Sequence, residues 1–139
     1  MRASGARVGD RIGPVAVALT RADLARYAQA SGDRNPIHLD EQAANAVGLP
    51  GVIAHGMLTM GRAIQPVVEW AGGDPAAVER YAVRFARPVP VPAEGTADLA
   101  VAGEVVAVEA GTATVNLVVT LAGQKVLGKA QATVRLPQP

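Results

Sequence analysis

An α+β domain, one main helix laid on an antiparallel sheet, is the fold class this sequence predicts, and three observations predict it. The chain opens on a short strand-like run. Helical spacing then dominates as far as residue 70, and four valine-rich segments separated by turn signals complete it. At 139 residues the chain is expected to form a single domain, 1–139, able to bury roughly two thirds of its unfolded surface. Half of its residues are hydrophobic but only 3% are aromatic, so the core must be aliphatic.

Taken in order, Pro14 to Leu19 is expected to be a strand. Thr20, with Asp23 three positions on, makes a capping-box start with Asp in place of the usual Glu or Gln. The helix that follows carries Leu24, Tyr27 and Ala28 at helical spacing and runs to Ser31, where Gly32 supplies a left-handed closing residue. Asp33 to Pro36 is then loop. Asp40 caps a short helix through Ala46, and Gly48 stops it. Pro50 and Gly51 make the next segment, to His55, irregular.

Another helix starts near Gly56 with Met57, Met60, Ile64, Val67 and Val68 on its apolar face, and Pro66 should kink or shorten it. A turn covers Ala71 to Pro75. Tyr81, Val83 and Phe85 then alternate with Arg80, Ala82 and Arg84, which predicts a strand with the first three facing inward. Strands follow near 97–109, 113–121 and 125–136, with turns at Ala110–Gly111 and Ala122–Gln124. Their order in the sheet stays open. Aliphatic edges of such a sheet invite pairing, so a dimer is expected.

Composition narrows the function. Thirteen basic against 12 acidic residues create no field that would gather nucleic acid or an anionic membrane, and neither is expected as a partner. The absence of cysteine removes disulfides, thiol nucleophiles and zinc thiolates. Charges at Arg2, Arg7, Asp10 and Arg11 interrupt any apolar leader, and no later stretch approaches the ~20 apolar residues of a membrane span. The expected compartment is the cytoplasm.

Both histidines fall in irregular segments beside helix starts: His38 in SGDRNPIHLD and His55 in VIAHGM. Loops held by a rigid scaffold are where catalytic groups gather. Conformation alone accounts for Gly32, Asp33, Asn35 and Pro36, which are ordinary turn residues. His38 shifts the balance, because a loop pinned by caps at both ends can bring Asp33 and His38 to one pocket. A carboxylate and an imidazole together can move protons in opposite directions near neutral pH.

Gly56, at a helix start, can present an unencumbered N–H to a developing oxyanion. For Gly56 a mere turn, and for His55 a structural hydrogen bond, are the competing readings. No metal or cofactor is expected: two histidines seventeen positions apart lack HExxH spacing, and there is no dinucleotide fingerprint, phosphate loop or nucleophile elbow.

The segments YAQASGDRNPIHLDEQAA and GVIAHGMLTMG resemble the hydratase motif of the MaoC-like dehydratases, the R-specific enoyl-thioester hydratase family. VGD, LTRADLARYA, ERYAVRFARPVPVP and GKAQATV extend the likeness over nearly the full chain. The resemblance implies the hot-dog fold, a central helix wrapped by a curved antiparallel sheet, with two units joined edge to edge and a coenzyme A or carrier-protein thioester bound near their interface. It implies reversible conversion of an (R)-3-hydroxyacyl thioester to a trans-2-enoyl thioester and water, in fatty-acid or related acyl metabolism.

The dyad then falls on Asp33 and His38 and the thioester carbonyl on the Gly56 N–H. Asn35, Ser31 and His55 take supporting or substrate-binding places. Many members carry serine where Gly61 aligns, so a hydroxyl contact expected of the family is missing at that position. Two alternatives remain: a non-catalytic acyl-binding subunit of a hot-dog heterodimer, and a hot-dog thioesterase. The intact dyad speaks against the first and the GDxNPxH loop against the second.

Overall fold

The computed structural model describes residue 3 and residues 5–138; the outermost ends of the expected 1–139 domain lie outside the described residues. Strand β1 (Arg11–Leu19) is followed by helix α1 (Arg21–Ser31), a 3-10 turn at Pro36–His38, α2 (Glu41–Ala46), α3 (Gly56–Ala63) and α4 (Gln65–Trp70). Strands β2 (Val78–Phe85), β3 (Ala97–Glu109), β4 (Thr112–Leu121) and β5 (Gln124–Arg135) complete the chain.

The five strands form one sheet in the order β1-β3-β4-β5-β2, with every neighbouring pair antiparallel. The last three strands are a meander, joined by two-residue loops between the pairs Glu109–Thr112 and Leu121–Gln124. Both loops place an alanine and then a glycine at positive φ, Ala110 (51°) with Gly111 (79°) and Ala122 (51°) with Gly123 (80°), which matches the right-handed strand twist. The second loop is one residue shorter than its sequence suggests.

Helices α3 and α4 supply Ala63, Ile64, Val67, Val68 and Trp70 to the core, against Leu99, Val101, Val105, Val115, Val119 and Val134 of the sheet. They form the central helix of the hot-dog fold. Its regular part breaks at Ile64, and Pro66 sits in the first turn of α4, where its missing N–H removes no bond that a helix start would make. The kink expected at Pro66 is therefore a fresh helix start two residues earlier.

Inward alternation runs through β4 and through β3 as far as Val105, where a bulge at Val106 ends it; in β5 both Val126 and Leu127 are buried before the alternation resumes at Ala130. Two residues, Gly128 and Lys129, there face Val118 alone, and Lys129 takes a φ of 47°. A second slip, between Val119 and Thr120, leaves Val126 extra between Lys125 and Leu127, and it turns both Val126 and Leu127 toward the cavity beside the start of α3.

Register also slips on the opposite side of β5, between Ala82 and Arg84 of β2. Tyr81 and Val83 are half-buried as expected, whereas Phe85, expected inward, is 53% exposed. The slip sets Lys129 and Ala130 of β5 against Val83 alone and adds no residue to β2, so Phe85, the last residue of β2, keeps its side of the strand and lies past the core, with its ring on Gly56.

Candidate active site

The loop after α1 is held by its own short polar side chains. Thr20 and Asp23 cap the helix start reciprocally, and Gly32, with φ 79°, ends it with its N–H on Ala28 O. Ser31 Oγ donates to Tyr27 O at 2.7 Å and accepts from the Asp33 N–H at 3.1 Å. Asp33 Oδ1 accepts from the Asn35 N–H, and Asn35 Oδ1 accepts from the Ile37 N–H, each at 3.2 Å. Two consecutive side-chain turns thus lead into the Pro36–His38 turn, after which Asp40 caps α2.

A second segment lies against this loop. Its Ile53 N–H donates to Ile37 O, and Val52 and Ala54 exchange main-chain bonds with Val91 and Val89. Glu41 anchors it from α2: Oε1 accepts from the Val52 N–H at 3.1 Å, and Oε2 pairs with Arg21 Nη2 at 2.7 Å. Arg21 in turn donates through Nε to Val91 O. The Arg21 bond and the Val52 N–H both pull the Glu41 carboxyl below its usual range. Tyr81 fixes β2 to α3 through its hydroxyl on Met60 O, and burial raises its pKa to about 12.

With the two segments fastened, a carboxylate oxygen of Asp33 and ring nitrogens of His38 and His55 lie within 4.8 Å of one another. Asp33 is exposed and both histidines are buried. His38 Nδ1 is 2.7 Å from Ile53 O, and His55 Nε2 is 3.0 Å from Asp33 O. A carbonyl oxygen has no hydrogen to give, so each of those nitrogens must carry one. That leaves a bare lone pair on His38 Nε2 and on His55 Nδ1, the latter enclosed without a partner.

The two rings stack, centroids 3.9 Å apart and planes 24° apart, and Tyr27 meets His55 edge-on at 4.7 Å. Burial holds the His55 pKa below its ordinary value, assisted by the neighbouring His38, while the hydrogen bond to Asp33 O and the Asp33 charge work the other way. Stacked imidazoles aim their in-plane lone pairs alongside one another rather than at a common point. The cluster is therefore better arranged for proton transfer than for holding a metal ion.

A cavity of about 260 Å³ opens beside it, lined among others by His38, Gly56, Thr59, Phe85, Val126 and Leu127. The start of α3 forms one wall. His55 provides no side-chain cap, and the Gly56 N–H has no acceptor among the described residues, so it stays available at the positive end of the helix. A roomier groove of about 890 Å³, lined by Asp74, Glu79 and Arg135 among others, contains neither histidine. Chemistry and not size selects the smaller cavity.

The structure therefore brings Asp33, His38 and His55 together and sets His38 and Gly56 on one cavity, whose lining includes neither Asp33 nor His55. Ser31 and Asn35 are engaged with the backbone of their own loop. Sequence reasoning did not find Thr59, Phe85 or Glu41 at the site. Thr59 was discoverable from its spacing three residues after Gly56, which places both on one helix face. Phe85 was not, because alternation in β2 does not say which helix start meets the end of that strand.

Comparison with known proteins places these features in a family. Residues 4–123 match the MaoC-like domain. A 3-hydroxyacyl-thioester dehydratase X of Mycobacterium tuberculosis is 48% identical over 84 residues, covering 60% of this chain and 28% of that protein. A solved MaoC-like dehydratase superposes with a TM-score of 0.91 at 40% identity, over 98% of this chain and 42% of its own. The R-hydratase PhaJ1 of Pseudomonas aeruginosa follows at 0.82 and 28%, over 99% of this chain and 86% of its own. The chain thus spans little more than a quarter of the mycobacterial relative. The match runs from before β1 to the β4–β5 turn and takes in both site loops, the start of α3 and the central helix: the chain belongs to the MaoC-like domain family.

Proposed function

We propose that this chain reversibly dehydrates (R)-3-hydroxyacyl thioesters to trans-2-enoyl thioesters. The observation that carries this reading is the approach of Asp33 and His38 beside a cavity whose wall holds an uncapped Gly56 N–H. The names of its relatives support the same reaction class.

In the dehydration direction the thioester carbonyl accepts a hydrogen bond from Gly56, and negative charge grows on that oxygen as the C2–H bond breaks. The bare Nε2 of His38 takes the proton, and the Nδ1–H bond to Ile53 O steadies the imidazolium that results. Asp33 delivers a proton to the 3-hydroxyl, the C3–O bond breaks, and water leaves as the C2–C3 double bond forms. The proton then passes from His38 back to Asp33, directly or through one water. One proton is taken and one is given, so the pair returns to its starting state without a cofactor.

The unit proposed is a single hot-dog domain over 1–139, paired with another such unit, a second copy or a different chain. The unpaired outer edges of β1 and β2 support pairing. No described helix is long and apolar enough to cross a membrane, and the proposed compartment is the cytoplasm, where acyl thioesters are made and consumed.

The test is loss of enoyl absorbance as crotonyl-CoA is hydrated by the purified chain, with its mass in solution measured alongside. Asp33→Asn and His38→Ala are expected to lower turnover by about 10²- to 10⁴-fold each, Asp33→Asn at the wild-type melting temperature and His38→Ala, which removes a buried, hydrogen-bonded ring, at a lower one. Near-wild-type rates in either variant defeat the assignment. Release of free thiol in place of hydration would make the chain a thioesterase.

A further inference from the structure

Thr59 is 3% exposed, lies on α3 and lines the cavity together with His38 and Gly56. Its main chain is spent on the helix, the N–H bonding His55 O at 3.0 Å. Its hydroxyl is not. Ser31 shows what a hydroxyl in a helix ordinarily does, donating to the carbonyl four residues back; no such bond ties Thr59 among the described residues. Among the described residues the two fully enclosed side-chain atoms without partners are His55 Nδ1 and Trp70 Nε1; the unbonded Thr59 oxygen is not one of them, so it is not fully enclosed, and the space this residue borders is the cavity.

Helical geometry says where that hydroxyl points. A Cα–Cβ bond in a helix tilts toward the N-terminus, so the side chain at 59 covers the turn that begins at Gly56. Gly56 has no side chain, and the Phe85 ring stands 3.0 Å from where its Cβ would be; Gly56, Phe85 and Thr59 all line the one cavity. A hydroxyl and a main-chain N–H, three residues apart on one face, therefore border the same volume. Around them stand Ala54, Val89, Val126 and Leu127, which offer no side-chain hydrogen bond, with His38 and Arg87 as the polar side chains of the same lining. A polar group kept in such surroundings costs stability unless something arrives to bond it.

We propose that the Thr59 hydroxyl is a second donor to the thioester carbonyl oxygen, completing with the Gly56 N–H a two-point oxyanion site. This inference rests on the hydration reading above and adds to it a catalytic residue and the atom it contacts.

The experiment compares Thr59→Val, which keeps the shape and removes the hydroxyl, with Thr59→Ser, which keeps the hydroxyl and removes the methyl. Hydration of crotonyl-CoA and thermal melting are followed for both, and binding of unreactive butyryl-CoA for each variant by calorimetry. Loss of one oxyanion donor typically costs about 10²- to 10³-fold in kcat. Thr59→Val is expected to approach that loss, with KM and butyryl-CoA affinity changed far less and Tm unchanged or raised.

Thr59→Ser is expected to stay within about tenfold of wild type, well short of the loss of a whole donor. Wild-type turnover with an equally fast Thr59→Val overturns the inference alone. So does a Thr59→Val that loses activity only together with Tm, or that Thr59→Ser does not outperform. A wild-type chain that hydrates no enoyl thioester overturns the reading beneath it, and the inference with it.

Discussion

The His55 ring lies face to face on His38 while its Nε2–H holds the main-chain carbonyl of Asp33. One buried side chain thereby touches both members of the proposed acid/base pair. Through these two contacts the spacing between Asp33 and His38 becomes a property of the second loop as well as of the first.

Since the His55 pKa is lowered by burial, the unfolded chain binds a proton more readily than the folded one. Stability is then complete above the unfolded value of 6.5 and is lost as pH falls from there through the lowered folded value. Melting between pH 8 and pH 5 should show this decline, and His55→Gln should flatten it. An unchanged slope in His55→Gln would assign the decline to other groups.

A methyl at Gly56 would come within 3.0 and 3.1 Å of Phe85 Cε1 and Cζ. The half-exposed ring can swing away, so the cost falls on the cavity and not on the fold. Gly56→Ala keeps the N–H but pushes the bound carbonyl out of place, and is expected to lose up to about 10²-fold in kcat, the scale of a misplaced reacting group, with Tm within a few degrees of wild type. Pairing it with Phe85→Leu should restore part of the rate.

At Gly51 the added carbon would meet Glu41 Oε1 at 2.2 Å, displacing the carboxylate that receives the Val52 N–H and Arg21. Gly51→Ala and Glu41→Ala should each lower Tm and kcat, by releasing the segment that leads into α3. Because both act on one contact, the double variant should fall short of the sum. Strict additivity in a double-mutant cycle would show that Glu41 does not transmit the effect.

Ala110 and Ala122 occupy left-handed backbone that a Cβ disfavours. Replacing either with Asn, which tolerates that region, should stabilise by about 0.5–1 kcal/mol, and the pair by nearly twice that. Chemical denaturation would show a higher midpoint with unchanged slope. Neither alanine lines the cavity at His38, so kcat should not move.

Local signals were the legible part of this sequence. Thr20 and Asp23, Gly32, Asp40 and Gly48 mark their helix boundaries because capping is decided by a few neighbouring residues. Pairing order was illegible, since β1 meets β3 across an excursion of more than 70 residues that leaves no trace in either strand. The same holds for the slip near Val83 and the bulge at Gly128, which depend on what each strand finds opposite it. At the site, Asp33, His38 and Gly56 could be named because both loops carry their own turn chemistry. The contacts of His55, and the opening of Thr59 onto the cavity, required knowing which two loops lie together.

Main-chain oxygens, those of Ile53 and Asp33, set which nitrogen of each imidazole is protonated. Such acceptors are supplied by every amino acid alike. Residue 53 can therefore drift among apolar types over evolutionary time without altering the proton inventory of the pair, and redesign of the acyl pocket through that position leaves the reacting groups as they are.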